Sequence, residues 1–183
     1  MVVTADHVRS ALDTYLDAHP EDKGTLAALV ELLDEVPDVT SRSEFRGHAT
    51  AGAVLVNLEG RVLHIHHNAL DRWLLPGGHV EAEDVTLSGA ALRELVEEAG
   101  LDGGAVALAH PAPLHIDLHP IPANDAKGEP AHFHADFRFL FRLDRDADVE
   151  LQEEEVSGYA WRAATEIADS TLRDRVLTSL TAA

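Results

Sequence analysis

The spacing of apolar residues changes at about residue 48, and this change limits the folds open to the chain. Before it, residues 4–18 and 21–36 carry apolar side chains every three or four positions, which predicts two amphipathic helices. After it, strand patterns alternate with helical patterns over 86–100 and 164–180. Interleaved strands and helices predict an α/β or α+β fold with a mixed sheet.

The strand patterns are short runs that alternate apolar and polar residues or are rich in β-branched and aromatic ones. They cover residues 48–67 with a turn at Glu59-Gly60, 73–75, 105–122, 131–143 and 157–163. We therefore expect residues 1–45 to form an N-terminal helical extension. Residues 46–183 are expected to form the main domain, which ends in a C-terminal helix.

The charge and composition of the chain exclude several kinds of protein. Its 183 residues include 33 acidic and 14 basic ones, a formal net charge of −19. This charge argues against a nucleic acid polymer as partner, because Lys and Arg normally meet the backbone phosphates. No charge-free apolar run is long enough to cross a bilayer, so we expect no membrane partner. The absence of cysteine excludes disulfides and thiolate metal sites, and it favours a cytoplasmic protein.

Glutamates cluster on one side of the helix predicted over 86–100. At about 100° per residue, Glu94, Glu97 and Glu98 fall within one arc, and Arg93 lies one turn from Glu97. Such a group is either a solvated acidic face or a site for a hard cation such as Mg²⁺. Mg²⁺ binds carboxylate oxygens and leaves places for substrate phosphates.

A glycine loop, "LPGGHVEAED" (residues 75–84), precedes this helix. Gly77 and Gly78 permit a tight turn whose backbone can approach a ligand closely, and Pro76 stiffens its start. We expect both glycines to contact substrate, together with His79, which either contacts a phosphate or fills the loop. A strand, a glycine loop and a helix with carboxylates facing the loop favour the cation site over a solvated face.

The stretch from Gly78 to Leu101 resembles the Nudix box, whose pattern is G-x5-E-x7-R-E-U-x-E-E-x-G-U with U an aliphatic residue. The positions that match in order and spacing are Gly78, Arg93, Glu94, Leu95, Glu97, Glu98, Gly100 and Leu101. Asp84 stands where the pattern has its first glutamate, and eight residues rather than seven separate it from Arg93.

The resemblance implies a Nudix-type α/β/α sandwich around a mixed sheet and a MutT-like pyrophosphohydrolase. Such an enzyme would cleave the diphosphate linkage of a nucleoside diphosphate derivative by water attack at phosphorus, with Mg²⁺ or Mn²⁺ as cofactor. By the matching positions, Glu94, Glu97 and Glu98 would bind the metal and Arg93 would orient a glutamate, so these four are the expected catalytic residues. The alternative is a nucleotide-binding regulatory module on the same fold without turnover. Dimers are common among homologous folds, so a homodimer is one expected state.

The resemblance leaves the general base open, since it can be a glutamate of the box or a carboxylate of a later loop. Glu81 in the glycine loop, and Glu154 and Glu155 before the last strand, are candidates for the base or for an extra metal ligand. The competing interpretation is that they lie in solvated acidic turns.

The chain has 12 histidines, and several are two positions apart, so that on a strand they share a face. Two such groups are His132, His134 and Asp136 in one strand, and His115, Asp117 and His119 in another. Three interpretations stay open. They line the substrate pocket, with His132 and His134 as expected contacts; they form a structural zinc site; or they are ordinary half-exposed strand residues.

Overall fold

The computed structural model describes residues 2–126, 128–152 and 156–181. Its helices are α1 (Ala5–Ala18), α2 (Ala27–Glu35), α3 (Leu87–Ala99) and α4 (Ser170–Thr181), with 3₁₀ turns at Pro20–Lys23, Gly103–Ala105 and Ala164–Glu166. Its strands are β1 (His48–Val56), β2 (Arg61–His67), β3 (Arg72–Leu74), β4 (Gly77–His79), β5 (Val106–Leu108), β6 (His115–Ile121), β7 (His132–Leu143) and β8 (Val156–Ala163). Strands and helices interleave from β1 onwards, as the apolar spacing predicts.

The described strands form one mixed sheet with the order β3-β2-β1-β7-β5, to which β4, β6 and β8 add by pairing with β1, β7 and β2. β1 runs parallel to β7, from His48 opposite His134 to Val56 opposite Arg142. The other pairings are antiparallel. β2 pairs with β1 only where Val56 is opposite Val62. Beside the first half of β1, the neighbouring strand is β4 instead of β2. Part of the glycine loop, read from the sequence as irregular, is thereby a strand of the sheet.

Helices cover both faces of the sheet, which confirms the predicted α/β/α sandwich. One hydrophobic cluster joins α1, α2 and α3 to the sheet; its large buried members include Leu12, Leu26, Leu29, Leu55, Leu95, Phe137 and Phe141. A second cluster joins α4 to the sheet through Val54, Val56, Val62, Leu172 and Val176. Neighbouring residues of β1 point to opposite faces, so Val54 and Leu55 belong to different clusters.

The two predicted N-terminal helices form and pack into the larger cluster. Thr4 caps α1, because its Oγ1 accepts a hydrogen bond from the N–H of His7 at 3.3 Å. The second helix is shorter than the predicted 21–36. Pro20 begins a 3₁₀ turn, Leu26 has non-helical backbone angles, and regular α-helix starts only after it.

A polar network fastens α1 to α4. Arg175 of α4 donates hydrogen bonds to the hydroxyl of Tyr15 and, at 2.8 Å, to the carboxylate of Asp22. Tyr15 donates to the same carboxylate at 2.5 Å, and His115 of β6 lies 3.2 Å from the guanidinium. Burial, together with the hydrogen bond to Asp22, raises the pKa of Tyr15 to about 12. Charge as well as apolar packing therefore holds the N-terminal helices in place.

The C-terminal helix begins later than the predicted 164–180. The chain makes a 3₁₀ turn over Ala164–Glu166, and Asp169 then accepts the N–H of Leu172 at 2.6 Å, which starts α4 at Ser170. Across residues 2–126, 128–152 and 156–181, none of the helices combines the length and apolar character that a membrane span requires.

Candidate active site

Both ends of α3, the helix that carries the three glutamates, are fixed by local sequence. Thr86 caps its start by accepting the N–H of Gly89 at 2.9 Å. Gly100 ends it with a φ of 60°, which glycine adopts without strain. A Cβ at Gly100 would collide with the carbonyl oxygen of Glu150, so the later segment lies directly against the end of the helix.

The glycine loop lies against the carboxylates of α3, as predicted. A Cβ on Gly78 would lie 2.6 Å from the carboxylate carbon of Glu94, so a larger residue would displace that carboxylate. Gly77 donates its N–H to Oε2 of Glu98 at 3.0 Å, and Glu98 is only 4% exposed. The loop backbone therefore meets two of the three glutamates directly.

Arg93 fastens α3 to the glycine loop. Its Nε and Nη2 donate to the two carboxylate oxygens of Asp84 at 3.1 and 3.0 Å, and Nη2 also donates to the carbonyl of His79 at 2.9 Å. Asp84 is buried and accepts a further bond from the N–H of Glu81 at 2.8 Å. Hydrogen bonding to Asp84 raises the pKa of Arg93, against the effect of partial burial. Asp84 thus anchors the arginine that the sequence identified as an orienting residue.

The same guanidinium lies between two of the expected metal ligands. Its Nη1 donates to Oε1 of Glu94 at 2.9 Å and to Oε2 of Glu97 at 3.0 Å. The Glu94 side chain is 15% exposed and that of Glu97 is 52% exposed. Arg93 therefore orients two glutamates, and its positive charge offsets their repulsion.

The donor set fits Mg²⁺ or Mn²⁺, because both ions bind carboxylate oxygens and Gly78 leaves the space beside Glu94 free of a Cβ. In the described part of the chain, Glu94, Glu97 and Glu98 do not bring three carboxylate oxygens within 4.8 Å of one another.

The structure describes one of the three candidates for the general base. Glu81 is exposed in the glycine loop, where its backbone N–H is bonded to Asp84. Glu154 and Glu155 lie outside the described residues.

Four histidines from three strands meet in one group, which we call the histidine cluster (His48, His79, His132 and His134). One ring nitrogen from each of His48, His79 and His134 lies within 4.8 Å of the other two. Nε2 of His132 is 3.2 Å from Nε2 of His134, and its ring stacks on that of His48 with 4.9 Å between centroids. The three histidines predicted to bind substrate are thus brought together, with His48 as an unpredicted fourth.

The histidine cluster and the α3 carboxylates lie on opposite sides of β4. In the β4–β1 register, His79 is opposite Thr50 and Gly78 is opposite Ala51. Adjacent residues of a strand point to opposite faces, and Gly78 faces Glu94 on α3. His79 therefore points away from α3, while its backbone carbonyl is held by Arg93.

The imidazoles of His48, His79 and His134 are neutral at pH 7. Burial lowers the pKa of His48, and it lowers the pKa of His79 to about 4 and that of His134 to about 3. His48 is 1% exposed, and its Nδ1 lies 3.2 Å from the carbonyl of Glu44. Its Nε2 is buried and has no hydrogen-bond partner in the described chain. Burying a polar atom without a hydrogen-bond partner lowers the free energy of unfolding by about 1–3 kcal/mol, so this nitrogen calls for an explanation.

A polar face extends from the histidine cluster along β6 and β7, as the alternating sequence predicts. The opposed pairs are His119 with His134, Asp117 with Asp136, and His115 with Arg138. Asp136 accepts a hydrogen bond from the hydroxyl of Thr50 at 3.2 Å. It also forms an ion pair with Arg138 at 2.6 Å. Sequence reasoning did not identify Arg138, although its position two residues after Asp136 puts it on the same face.

Comparison with known proteins relates most of the chain to one family. The NUDIX domain matches residues 46–180. A "Probable DHNTP pyrophosphohydrolase" of Lactococcus lactis subsp. cremoris (strain MG1363) is 31% identical over 138 residues, which are 73% of this chain and 76% of that protein. A C. elegans Ap4A hydrolase in a binary complex has a TM-score of 0.55 at 21% identity, over 74% of this chain and 98% of its own. The E. coli dihydroneopterin triphosphate pyrophosphohydrolase has a TM-score of 0.50 at 20% identity, over 74% and 96%. At this identity the two structures show a shared fold.

Proposed function

Because the chain belongs to the Nudix family, we propose that it uses Mg²⁺ or Mn²⁺ to hydrolyse a diphosphate linkage in a small nucleotide derivative. The observation that carries the proposal is the contact between α3 and the glycine loop. Buried Glu98 accepts the N–H of Gly77, and the carboxylate of Glu94 occupies the space beside Gly78. Carboxylates for a cation therefore lie directly against a loop whose glycines carry no side chain.

The charged residues of α3 have different proposed roles. Glu94, Glu97 and Glu98 would hold the cation. When bound, the cation would neutralise negative charge on the phosphoryl oxygens. Arg93 positions Glu94 and Glu97, with Asp84 as its anchor. These interactions set the glutamates before substrate arrives, so little reorganisation is needed during the reaction.

A carboxylate must also take a proton from the attacking water. We propose Glu81 for this role, because it is exposed on the same loop whose glycines meet α3. Glu154 and Glu155 are the competing candidates. Single Gln variants of all three separate them: the base variant lowers kcat and flattens the acid limb of the pH–rate profile, and the other two leave both unchanged.

The relatives give the first substrates to test, DHNTP and Ap4A. The net charge of −19 supports a small nucleotide derivative over a nucleic acid polymer. We also propose a cytoplasmic location, on the absence of cysteine. A homodimer stays a prediction, which the mass measured by light scattering after size-exclusion chromatography tests directly.

The deciding experiment is product release from DHNTP, Ap4A, nucleoside triphosphates and nucleotide sugars, each with Mg²⁺, with Mn²⁺ and with a chelator. We expect turnover of one class that stops with the chelator and falls at least about 100-fold in Glu98→Gln, because the side chain loses one carboxylate oxygen and its negative charge. Glu31→Gln, an exposed glutamate of α2, is the matched control and should keep full activity. Metal-dependent nucleotide binding without turnover would instead support a regulatory module on the same fold.

A further inference from the structure

We propose that the histidine cluster is a second metal site, which binds a borderline divalent transition metal such as Zn²⁺ through His48, His79 and His134. The site is separate from the carboxylates of α3, and the proposal does not rest on the proposed hydrolase activity. Three observations carry it: the convergence of three ring nitrogens, the orientation of the rings, and the unpaired nitrogen of His48.

The ring of His48 is held in the tautomer that a metal ligand requires. Its Nδ1 faces the carbonyl of Glu44 at 3.2 Å, and a carbonyl only accepts hydrogen bonds, so Nδ1 carries the proton. Nε2 therefore has a free lone pair, and it is buried without a partner in the described chain. Metal-ligating histidines in proteins commonly donate their other ring N–H to a backbone carbonyl in the same way.

His132 shows the same arrangement at the edge of the group. Its Nδ1 lies 2.8 Å from the carbonyl of Pro130, so its Nε2 also presents a lone pair, 3.2 Å from Nε2 of His134. Four nitrogens at about 2.0–2.1 Å from a tetrahedral Zn²⁺ lie about 3.4 Å apart. His132 lies outside the group of three nitrogens within 4.8 Å of one another, so it would become the fourth ligand only after its side chain rotates. The three principal nitrogens, at separations up to 4.8 Å, need only small side-chain rotations to converge.

The chemistry of the cluster selects the metal. All its donors are imidazole nitrogens, which suit Zn²⁺, Co²⁺ and Ni²⁺, whereas Mg²⁺ requires oxygen. The two sites should therefore take different ions from a mixture.

An ion in the cluster would join three strands of the sheet through their side chains. His48 lies on β1, His79 on β4 and His134 on β7. β4 has three residues and contains Gly77 and Gly78, so metal binding would secure the glycine loop from the side opposite to Arg93. A packed group of rings without a metal would explain the burial, but it would leave Nε2 of His48 without a partner in the described chain.

Metal binding is measured on the full-length protein without a polyhistidine tag, after stripping with EDTA. We expect one Zn²⁺ per chain by equilibrium dialysis and elemental analysis, and a visible absorption band on Co²⁺ addition that Mg²⁺ does not remove. His48→Gln and His134→Gln should each lower Zn²⁺ affinity at least about 100-fold, since loss of a ligand exceeds the effect of losing its outer partner. His64→Gln is the matched control, because His64 is also buried with Nδ1 facing a carbonyl, that of Val62, but lies outside the cluster.

Two further measurements keep the test decisive. His79→Gln, at a partly exposed position, replaces His48→Gln if the latter fails to fold by circular dichroism. Zn²⁺ should slow hydrogen exchange in residues 75–81 of the wild type and of Glu98→Gln alike, which separates this site from the carboxylates. The proposal is overturned if the wild type binds no Zn²⁺ saturably, or if the histidine variants bind it as tightly as His64→Gln does.

Discussion

Asp84 gives the sharpest test of how the α3 site is held together. Its side chain is 6% exposed, and it accepts two hydrogen bonds from Arg93 and one from the N–H of Glu81. In Asp84→Asn the amide has one acceptor where the carboxylate had two. Its NH₂ group must then face an N–H donor of Arg93 or Glu81, and the negative charge opposite the guanidinium is lost.

Removing one partner of a buried ion pair costs about 3–5 kcal/mol. Arg93 keeps Glu94 and Glu97 as partners and is 25% exposed, so we place the cost in Asp84→Asn just below this range, at about 2–3 kcal/mol. For a chain of this size, 1 kcal/mol corresponds to about 2–4 °C in Tm, so the variant should melt about 5–10 °C below the wild type. Activity should fall about 10–100-fold and recover in part at high Mg²⁺, because Glu94 and Glu97 lose their positioning residue.

The assay compares thermal unfolding by circular dichroism with the Mg²⁺ dependence of the rate. Asp144→Asn is the control, because Asp144 pairs with Arg145 at 3.2 Å with both side chains 53% exposed. Such a pair contributes about 0–1 kcal/mol, so this variant should melt within about 3 °C of the wild type. If Asp84→Asn melts no lower than Asp144→Asn, Asp84 does not anchor Arg93 and the reasoning about the site is refuted.

Three other substitutions test the loop, the end of the helix and the buried tyrosine. In Gly78→Ala, the new Cβ displaces the flexible carboxylate of Glu94, so activity should fall at least about tenfold while Tm changes by less than about 3 °C; a normal rate would contradict this. Gly100→Ala forces a side chain onto a φ of 60° and into a backbone carbonyl, so Tm should fall by at least about 5 °C, whereas Gly24→Ala, where nothing lies within 4 Å, should be neutral. The pKa of Tyr15 is raised to about 12 by burial, so its contribution to stability is complete below pH 10 and declines as pH rises to about 12. Denaturant unfolding should show the advantage of the wild type over Tyr15→Phe shrinking across that interval, and a constant advantage would refute the assignment.

The sequence predicted the parts of the site whose geometry is local. Helical spacing brings Glu94, Glu97 and Glu98 to one side of α3, and the two glycines mark where the loop approaches them. The resemblance to the Nudix box identified the family, which the match over residues 46–180 confirms.

The site features that could not be predicted from the sequence depend on contacts between distant segments. His48 joins the histidine cluster because β1 runs parallel to β7, which puts it opposite His134. No spacing within either segment predicts that register. The anchoring role of Asp84 was missed for a related reason. Eight residues separate Asp84 from Arg93 along the chain, and only the fold of the glycine loop brings the two side chains together.

The arginine that links α1 to α4 also sets an order of events during synthesis. Asp22 precedes Arg175 by 153 residues, so a ribosome completes α1 long before the partner of Asp22 exists. Until α4 emerges, the apolar stripe of α1, with Val8 and Leu12, lacks the ion pair that holds it on the sheet. α1 and α2 are thus made before α4, yet the ion pair that helps to secure them forms only after α4 has followed.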